Sequence, residues 1–257
     1  MTRVLPRTHF HSSRLLRILA DLAVIETVEP GNAFAEKLAL WVDFSAAINL
    51  CAVHSGGVGV GASPAKSAAG GDASHALSEE FARARAGLEG AIASSCIHSA
   101  NVNRLQLPTP PAHAQPDDAA AYAPYRRFHL AHQRDMELSI RPLRIKVRQQ
   151  IATASPTLSQ LTELDEALDN ILDEREKKLL AIVPSLLEKR HAQLRKAQQQ
   201  SLLESGEADN PALWMKPGGW LARFCHELQT VLLAELDLRL QPIVGLIEAH
   251  NHQKTYA

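Results

Sequence analysis

The segment Phe128–Ile151, FHLAHQRDMELSIRPLRIKVRQQI, decides the fold class of this chain of 257 residues. Its mostly apolar positions advance in steps of three and four, which places their side chains on one face of an α-helix. These positions are Phe128, His132, Met136, Ile140, Leu143, Val147 and Ile151. The segment therefore predicts a long amphipathic helix from about residue 117 to about residue 154. Pro142 should kink this helix, because proline removes one backbone hydrogen bond.

Two more long helices are predicted after this segment. One begins at Ser155-Pro156, a capping residue followed by a proline suited to the first helical turn, and ends near Leu203. The other extends from about Trp220 to His250. Each should be bent by an internal proline, at Pro184 and Pro242 respectively.

The N-terminal half is divided by two segments of loop composition. Residues 55–77 are rich in Gly, Ala and Ser, and residues 101–116 are rich in Pro, so neither can offset its ordering entropy by burying apolar surface. We therefore predict a helical pair at 1–54, a flexible loop at 55–77, a helix at 78–100, a Pro-rich linker at 101–116 and a long-helix bundle at 117–257. The predicted fold class is all-α, with an N-terminal helical region and a C-terminal bundle of three long, proline-kinked helices.

The overall charge and the cysteines restrict the class of protein. The 27 Lys and Arg residues balance 28 Asp and Glu residues, which argues against a nucleic-acid-binding protein. Cys51, Cys96 and Cys225 are too few and too scattered for a disulfide framework, which fits a reducing compartment such as the cytoplasm. Four arginines precede Asp21, so contact of the N-terminal helix with a membrane surface stays open as an alternative.

The titratable residues offer two weak candidates for a metal or catalytic site. Glu188 and His191 have the Glu-x-x-His spacing, but a di-iron site in a helix bundle needs a second such motif, which the sequence lacks. His129 and His132 are also three residues apart, and His132 has the position of a core histidine bonded to a neighbouring helix. We expect no catalytic residue, metal or cofactor, and keep an enzyme or metal-binding helical bundle as the alternative.

Charged residues form two stripes on successive helices. The basic stripe consists of Arg127, Arg134, Arg141, Arg144 and Arg148, and the acidic stripe of Glu166, Asp169, Asp173 and Glu176. Each stripe lies nearly opposite the apolar face of its own helix, so we expect both to be solvated and the arginines to bind a charged partner. The alternative is that the two stripes pair with each other.

Two further charges lie in the last predicted helix. Glu235 and Arg239 are spaced for a salt bridge between residues i and i+4. Asp237 lies among leucines and should need a hydrogen-bond donor from a neighbouring helix.

Several motifs resemble those of a known family. They are Arg7-Thr8-His9-Phe10, Ser13-Arg14-Leu15-Leu16-Arg17-Ile18-Leu19, Ala123-Pro124-Tyr125, Glu174-Arg175-Glu176-Lys177-Lys178-Leu179-Leu180 and Val231-Leu232-Leu233-Ala234-Glu235-Leu236-Asp237-Leu238-Arg239. The chain resembles a proteobacterial family of uncharacterised proteins, domain of unknown function 3348. The resemblance implies a bacterial protein of about this size and assigns no catalytic residues. Together with the helical pattern it favours a non-enzymatic interaction or scaffold protein in the cytoplasm, which binds another protein or itself.

Overall fold

A computed structural model describes residues 13–22, 47–48, 50–53, 70–96, 105–110 and 121–256. Its helices, in chain order, are α1 (Arg14–Asp21), α2 (Gly70–Ser95), α3 (Ala123–Ala152), α4 (Pro156–Leu180), α5 (Val183–Ser205), α6 (Pro211–Trp214) and α7 (Trp220–Tyr256). These residues include no strand, so the predicted all-α class is confirmed. Residues 47–48 and 50–53 are also helical, and the rest of the second predicted helix lies outside the described residues.

Side chains at the helix ends account for several boundaries. The hydroxyl of Ser13 accepts a hydrogen bond from the backbone N–H of Leu16, and the hydroxyl of Ser155 accepts one from Leu158. These bonds satisfy N–H groups that have no partner within the first helical turn. At the other end of α5, Gly206 has a left-handed backbone with φ of 72°, which glycine adopts without steric cost.

Prolines have different consequences in the three long predicted helices. The helix predicted over Ser155–Leu203 is bent as expected, and the bend takes the form of a break at residues 181–182 between α4 and α5. Pro184 lies in the first turn of α5, where its missing N–H leaves no helical bond unmade. In contrast, α3 and α7 continue past Pro142 and Pro242.

The N-terminal boundaries differ from the prediction. Helix α2 begins at Gly70 instead of at residue 78, so the last eight residues of the predicted loop are helical. Leu77 is 4% exposed and packs in the hydrophobic core. Burial of its side chain stabilises the helical residues that precede Ser78. The described part of the predicted linker, residues 105–110, is not helical, but Leu107 is buried and its N–H donates to the carbonyl oxygen of Ser95. The remaining residues of both segments lie outside the described residues.

Helix α7 is the centre of the bundle, since it contacts each of the other six helices. Its side chains are buried on several faces, and a helix that is apolar nearly all round is stable only when other elements surround it. The fully buried apolar ones are Leu221, Phe224, Leu228, Val231, Leu232, Ala234, Leu236 and Ile243.

Asp237 fixes the N-terminal helices on α7. Its carboxylate accepts hydrogen bonds from Arg14 of α1 and from Arg85 of α2, the latter at 2.8 Å. The predicted need for a donor from a neighbouring helix is therefore confirmed. On the same side, Leu15 and Leu19 of α1 are buried in the core.

We expect Leu228→Ala to lower the free energy of unfolding by about 2–5 kcal/mol, because the surrounding helices cannot close the cavity that it leaves. Urea denaturation monitored by far-UV circular dichroism measures the change. The matched control is Leu203→Ala, since Leu203 is 83% exposed and the same truncation should cost at most about 0.5 kcal/mol. Equal losses in the two variants would contradict a core centred on α7.

Candidate functional site

The five arginines of the predicted basic stripe do not form one surface. Arg127, Arg134 and Arg141 are exposed, and none of them has an ion pair within the described part of the chain. The side chains of Arg144 and Arg148 are only 14% and 10% exposed and face α4. The prediction of a solvated stripe is therefore wrong for its C-terminal end.

Arg144 and Arg148 bind two aspartates of α4. The nitrogens of Arg144 lie 2.6 Å from Asp165 and 2.5 Å from Asp169, and those of Arg148 lie 2.6 Å and 2.8 Å from the same two carboxylates. Each aspartate thus accepts from both arginines across the antiparallel pair α3–α4. At this end of the stripe the alternative prediction is correct, because arginines of α3 pair with aspartates of α4.

The predicted acidic stripe is also divided. Asp169 belongs to the network with Arg144 and Arg148, whereas Asp173 lies 2.9 Å from Lys177 and Glu166 is exposed. Asp165, which was not part of the predicted stripe, lies 2.6 Å from both arginines. A matching spacing in the sequence indicates this pairing, since Asp165 and Asp169 are four residues apart, as are Arg144 and Arg148.

A small pocket of about 90 Å³ lies where α3, α4 and α7 meet. Burial raises the pKa of Glu176 in its wall, and the nearby charges of Arg239 and Arg144 partly oppose the rise. Basic and acidic side chains both line the pocket, so its wall does not carry a single sign of charge that would bind an ion. The lining residues are Glu137, Ile140, Arg141, Arg144, Asp169, Asn170, Asp173, Glu176, Lys177 and Arg239.

The exposed arginines share their side of α3 with apolar side chains. Leu138 is 64% exposed, Ile145 is 44% exposed and Leu130 is 42% exposed. At about 100° per residue, these positions and the three arginines lie opposite the core face that contains Met136 and Val147. We call the six residues the outward face of α3; they are Arg127, Leu130, Arg134, Leu138, Arg141 and Ile145. The sequence did not lead us to predict the apolar members of this face. The spacing that indicates them is that Leu138 and Ile145 each follow an arginine by four residues.

A buried carboxylate connects α3 to α7. Glu235 is fully buried and accepts hydrogen bonds from Nε2 of His129 at 3.1 Å, Nε2 of Gln133 at 2.9 Å and Nη2 of Arg239 at 2.9 Å. Burial by itself would raise the pKa of Glu235, but the hydrogen bond and charge of His129, with help from Arg239 and Gln133, hold it below its usual value. The predicted pairing of Glu235 with Arg239 is confirmed, and it lies in the interior.

His132 forms the interhelical bond that its position in the sequence suggested. Its Nε2 lies 2.9 Å from the hydroxyl of Ser95 on α2, and that hydroxyl lies 2.8 Å from the carbonyl oxygen of Ile92. The hydroxyl proton points to the carbonyl, so Nε2 of His132 is the donor to Ser95. Burial lowers the pKa of His132 to about 4, against the charge of Asp135. The pair connects α3 to α2, and an open pocket of about 510 Å³ lies beside it.

The structure separates Glu188 from His191. Glu188 is exposed, whereas His191 is 3% exposed and lies among the rings of Tyr122, Tyr125, Trp220 and Phe224. Burial, with a smaller contribution from the charge of Arg195, lowers the pKa of His191 to about 4. Residues three apart differ by about 60° around a helix, so a neighbouring helix covers one and leaves the other in solvent.

The described residues contain no group of three or more His, Cys, Asp or Glu side chains placed to hold a metal ion. None of the helices, within the same residues, combines the length and the hydropathy that crossing a membrane requires.

Comparison with known proteins gives one match. The model of the family described as "Protein of unknown function (DUF3348)" covers residues 1–252. No curated protein and no solved structure matches the chain.

The ion pairs between α3 and α4 should stabilise the fold. In a double-mutant cycle of Arg148→Ala and Asp165→Ala, we expect a coupling energy of about 1–3 kcal/mol, because both side chains are largely buried and each single variant leaves the other charge with only one of its two partners. Urea denaturation of the two single variants, the double variant and the parent protein gives this energy. As a matched exposed pair, Lys177→Ala and Asp173→Ala should couple by about 0.5 kcal/mol or less. Additive effects at Arg148 and Asp165 would contradict the network.

Acid should destabilise the protein through His132 and His191. Each has a pKa of about 4 in the folded state, below the 6.5 of an unperturbed histidine, so the unfolded chain binds more protons between these values. Stability is therefore fully present above about pH 6.5 and falls as the pH drops toward about 4. We expect His191→Phe, measured by urea denaturation across this range, to reduce the slope of stability against pH by up to about 1.4 kcal/mol per pH unit. An unchanged slope would show that His191 is not held neutral.

Proposed function

The chain belongs to the DUF3348 family, whose function is unknown, and we propose that it is a non-enzymatic helical interaction protein. The outward face of α3 is its contact surface for another protein. The protein acts in a reducing compartment, the cytoplasm of a proteobacterium, where Cys51, Cys96 and Cys225 stay as free thiols.

One observation carries this proposal: the outward face combines exposed leucine-type side chains with arginines that the fold does not use. Every other basic side chain of the C-terminal half of α3 is paired, since Arg144 and Arg148 bind α4 and Lys146 binds Glu80 of α2. Arg is also one of the residue types that are enriched at protein interfaces over ordinary surface.

Membrane attachment through the N-terminal helix is the less supported alternative. The apolar face of α1 is already used, since Leu15, Leu19 and Leu22 are buried in the core and Arg14 binds Asp237. Attachment of α1 to lipid would require these contacts to break.

Site-specific photo-cross-linking in cells tests the proposal. A photoreactive amino acid in place of Leu138 should capture a defined partner, and the same probe in place of Leu203 on α5 should not. Both positions are exposed, so accessibility does not distinguish them. Mass spectrometry identifies the captured protein, and a product of twice the chain's mass would show self-association. Capture of the same proteins from both positions, or of none from position 138, would refute the proposal.

Charge reversal gives the companion measurement. We expect Arg127→Glu, Arg134→Glu and Arg141→Glu together to abolish cross-linking from position 138, because like charges across an interface repel. The unfolding midpoint should stay nearly unchanged, since exposed charges contribute little to stability. The matched control places the same three charge changes at the exposed Lys178, Lys189 and Lys196 of α4 and α5 and should leave cross-linking intact.

A further inference from the structure

The outward face of α3 follows a heptad spacing. Arg127, Arg134 and Arg141 are separated by seven residues, and Leu138 and Ile145 follow the last two arginines by four. A seven-residue interval rotates by only about −20° on an α-helix, so these side chains form a nearly straight seam along the axis. Successive arginines on it lie about 10.5 Å apart.

We propose that this seam docks an acidic amphipathic helix of another protein, in a coiled-coil-like packing on α3. The inference rests on the proposed function and specifies its partner. Leu138 and Ile145 are the apolar side chains that would enter the partner's seam. The arginines flank them, and a partner helix with Glu or Asp at the same seven-residue interval presents a carboxylate to each.

Charge argues against a second copy of this chain on the same seam. A symmetric dimer brings the same surface of each copy together, so the arginines of one copy would face those of the other. Like charges placed this way disfavour association. The six residues of the outward face include no acidic side chain, and the exposed Asp135 lies about 100° around the helix from Arg134.

The order of residues along the seam argues against a lipid surface. A helix that lies on a membrane separates its apolar stripe from its basic residues around the helix circumference. Here arginine and apolar side chains alternate along one line, so Leu138 cannot enter the acyl region without Arg134 and Arg141. The exposed carboxylate of Asp135 also borders the seam.

A synthetic four-heptad peptide tests the inference. It carries Leu at the two core positions of each heptad and Glu at the flanking positions, which keep it from self-association by mutual repulsion. Fluorescence anisotropy of the labelled peptide should show saturable binding to the full-length protein, and binding should weaken as salt is raised. The control peptide, with Lys in place of every Glu, should bind at least tenfold more weakly.

Exchange of the charges distinguishes seam docking from non-specific attraction. The variant Arg127→Glu/Arg134→Glu/Arg141→Glu should lose at least tenfold in affinity for the Glu peptide and should gain affinity for the Lys peptide. Leu138→Asp should weaken the binding of the Glu peptide, and Leu203→Asp should not. Equal binding of the Glu peptide to the reversed variant, or its displacement by vesicles that contain anionic lipid, would overturn the inference. If cross-linking from position 138 succeeds while the Glu peptide does not bind, the contact surface stands and the acidic-helix partner is wrong.

Discussion

Burial of α7 on nearly every side is the constraint on which the rest of the structure depends. A helix with this many leucine-type residues is stable in water only when other helices cover it. The carboxylates of Glu227, Glu235 and Asp237 are then largely buried as well, and a buried charge without partners costs several kcal/mol, on the order of 3–5 when one partner of a pair is removed. Each neighbouring helix must therefore supply polar groups as well as apolar surface.

The charges along α7 specify where most of the other helices dock. Glu227 accepts from Arg190 of α5 at 2.7 Å, and Glu235 accepts from His129 and Gln133 of α3. Asp237, two residues further on, accepts from α1 and α2. Apolar packing alone would tolerate rotation or sliding of a helix, whereas these pairs define one register for each helix. Helix α4 has fewer contacts with α7 and is held mainly by the arginines of α3.

Residue spacing was sufficient to predict the fold class, and the sequence also indicated three of the polar pairings, those of Asp237, Glu235 and His132. The period of three and four predicted α3, and Asp237 among leucines indicated that a donor would come from another helix. The division of the basic stripe could not be predicted, because a helical projection shows the angle of each side chain but not the position of the neighbouring helix. Arg148 follows Arg141 by the same seven residues and Arg144 lies beside that line, and only the antiparallel packing of α3 on α4 brings Asp165 opposite them. For the same reason the projection could not tell that α7 would bury His191 and leave Glu188 exposed.

The same packing explains why the outward face of α3 is a surface of its own. Helix α4 neutralises the two arginines on its side, and Glu80 of α2 binds Lys146 on the other. The remaining arginines, Arg127, Arg134 and Arg141, are exposed and have no ion pair within the described residues, and Arg141 also lines the pocket between α3, α4 and α7. Leu138 and Ile145 lie among them, although polar residues at these two positions would fill the helix surface at no cost to the core. The described helices use neither the charge nor the apolar area on this side, and this combination is the basis on which we propose that another protein binds there.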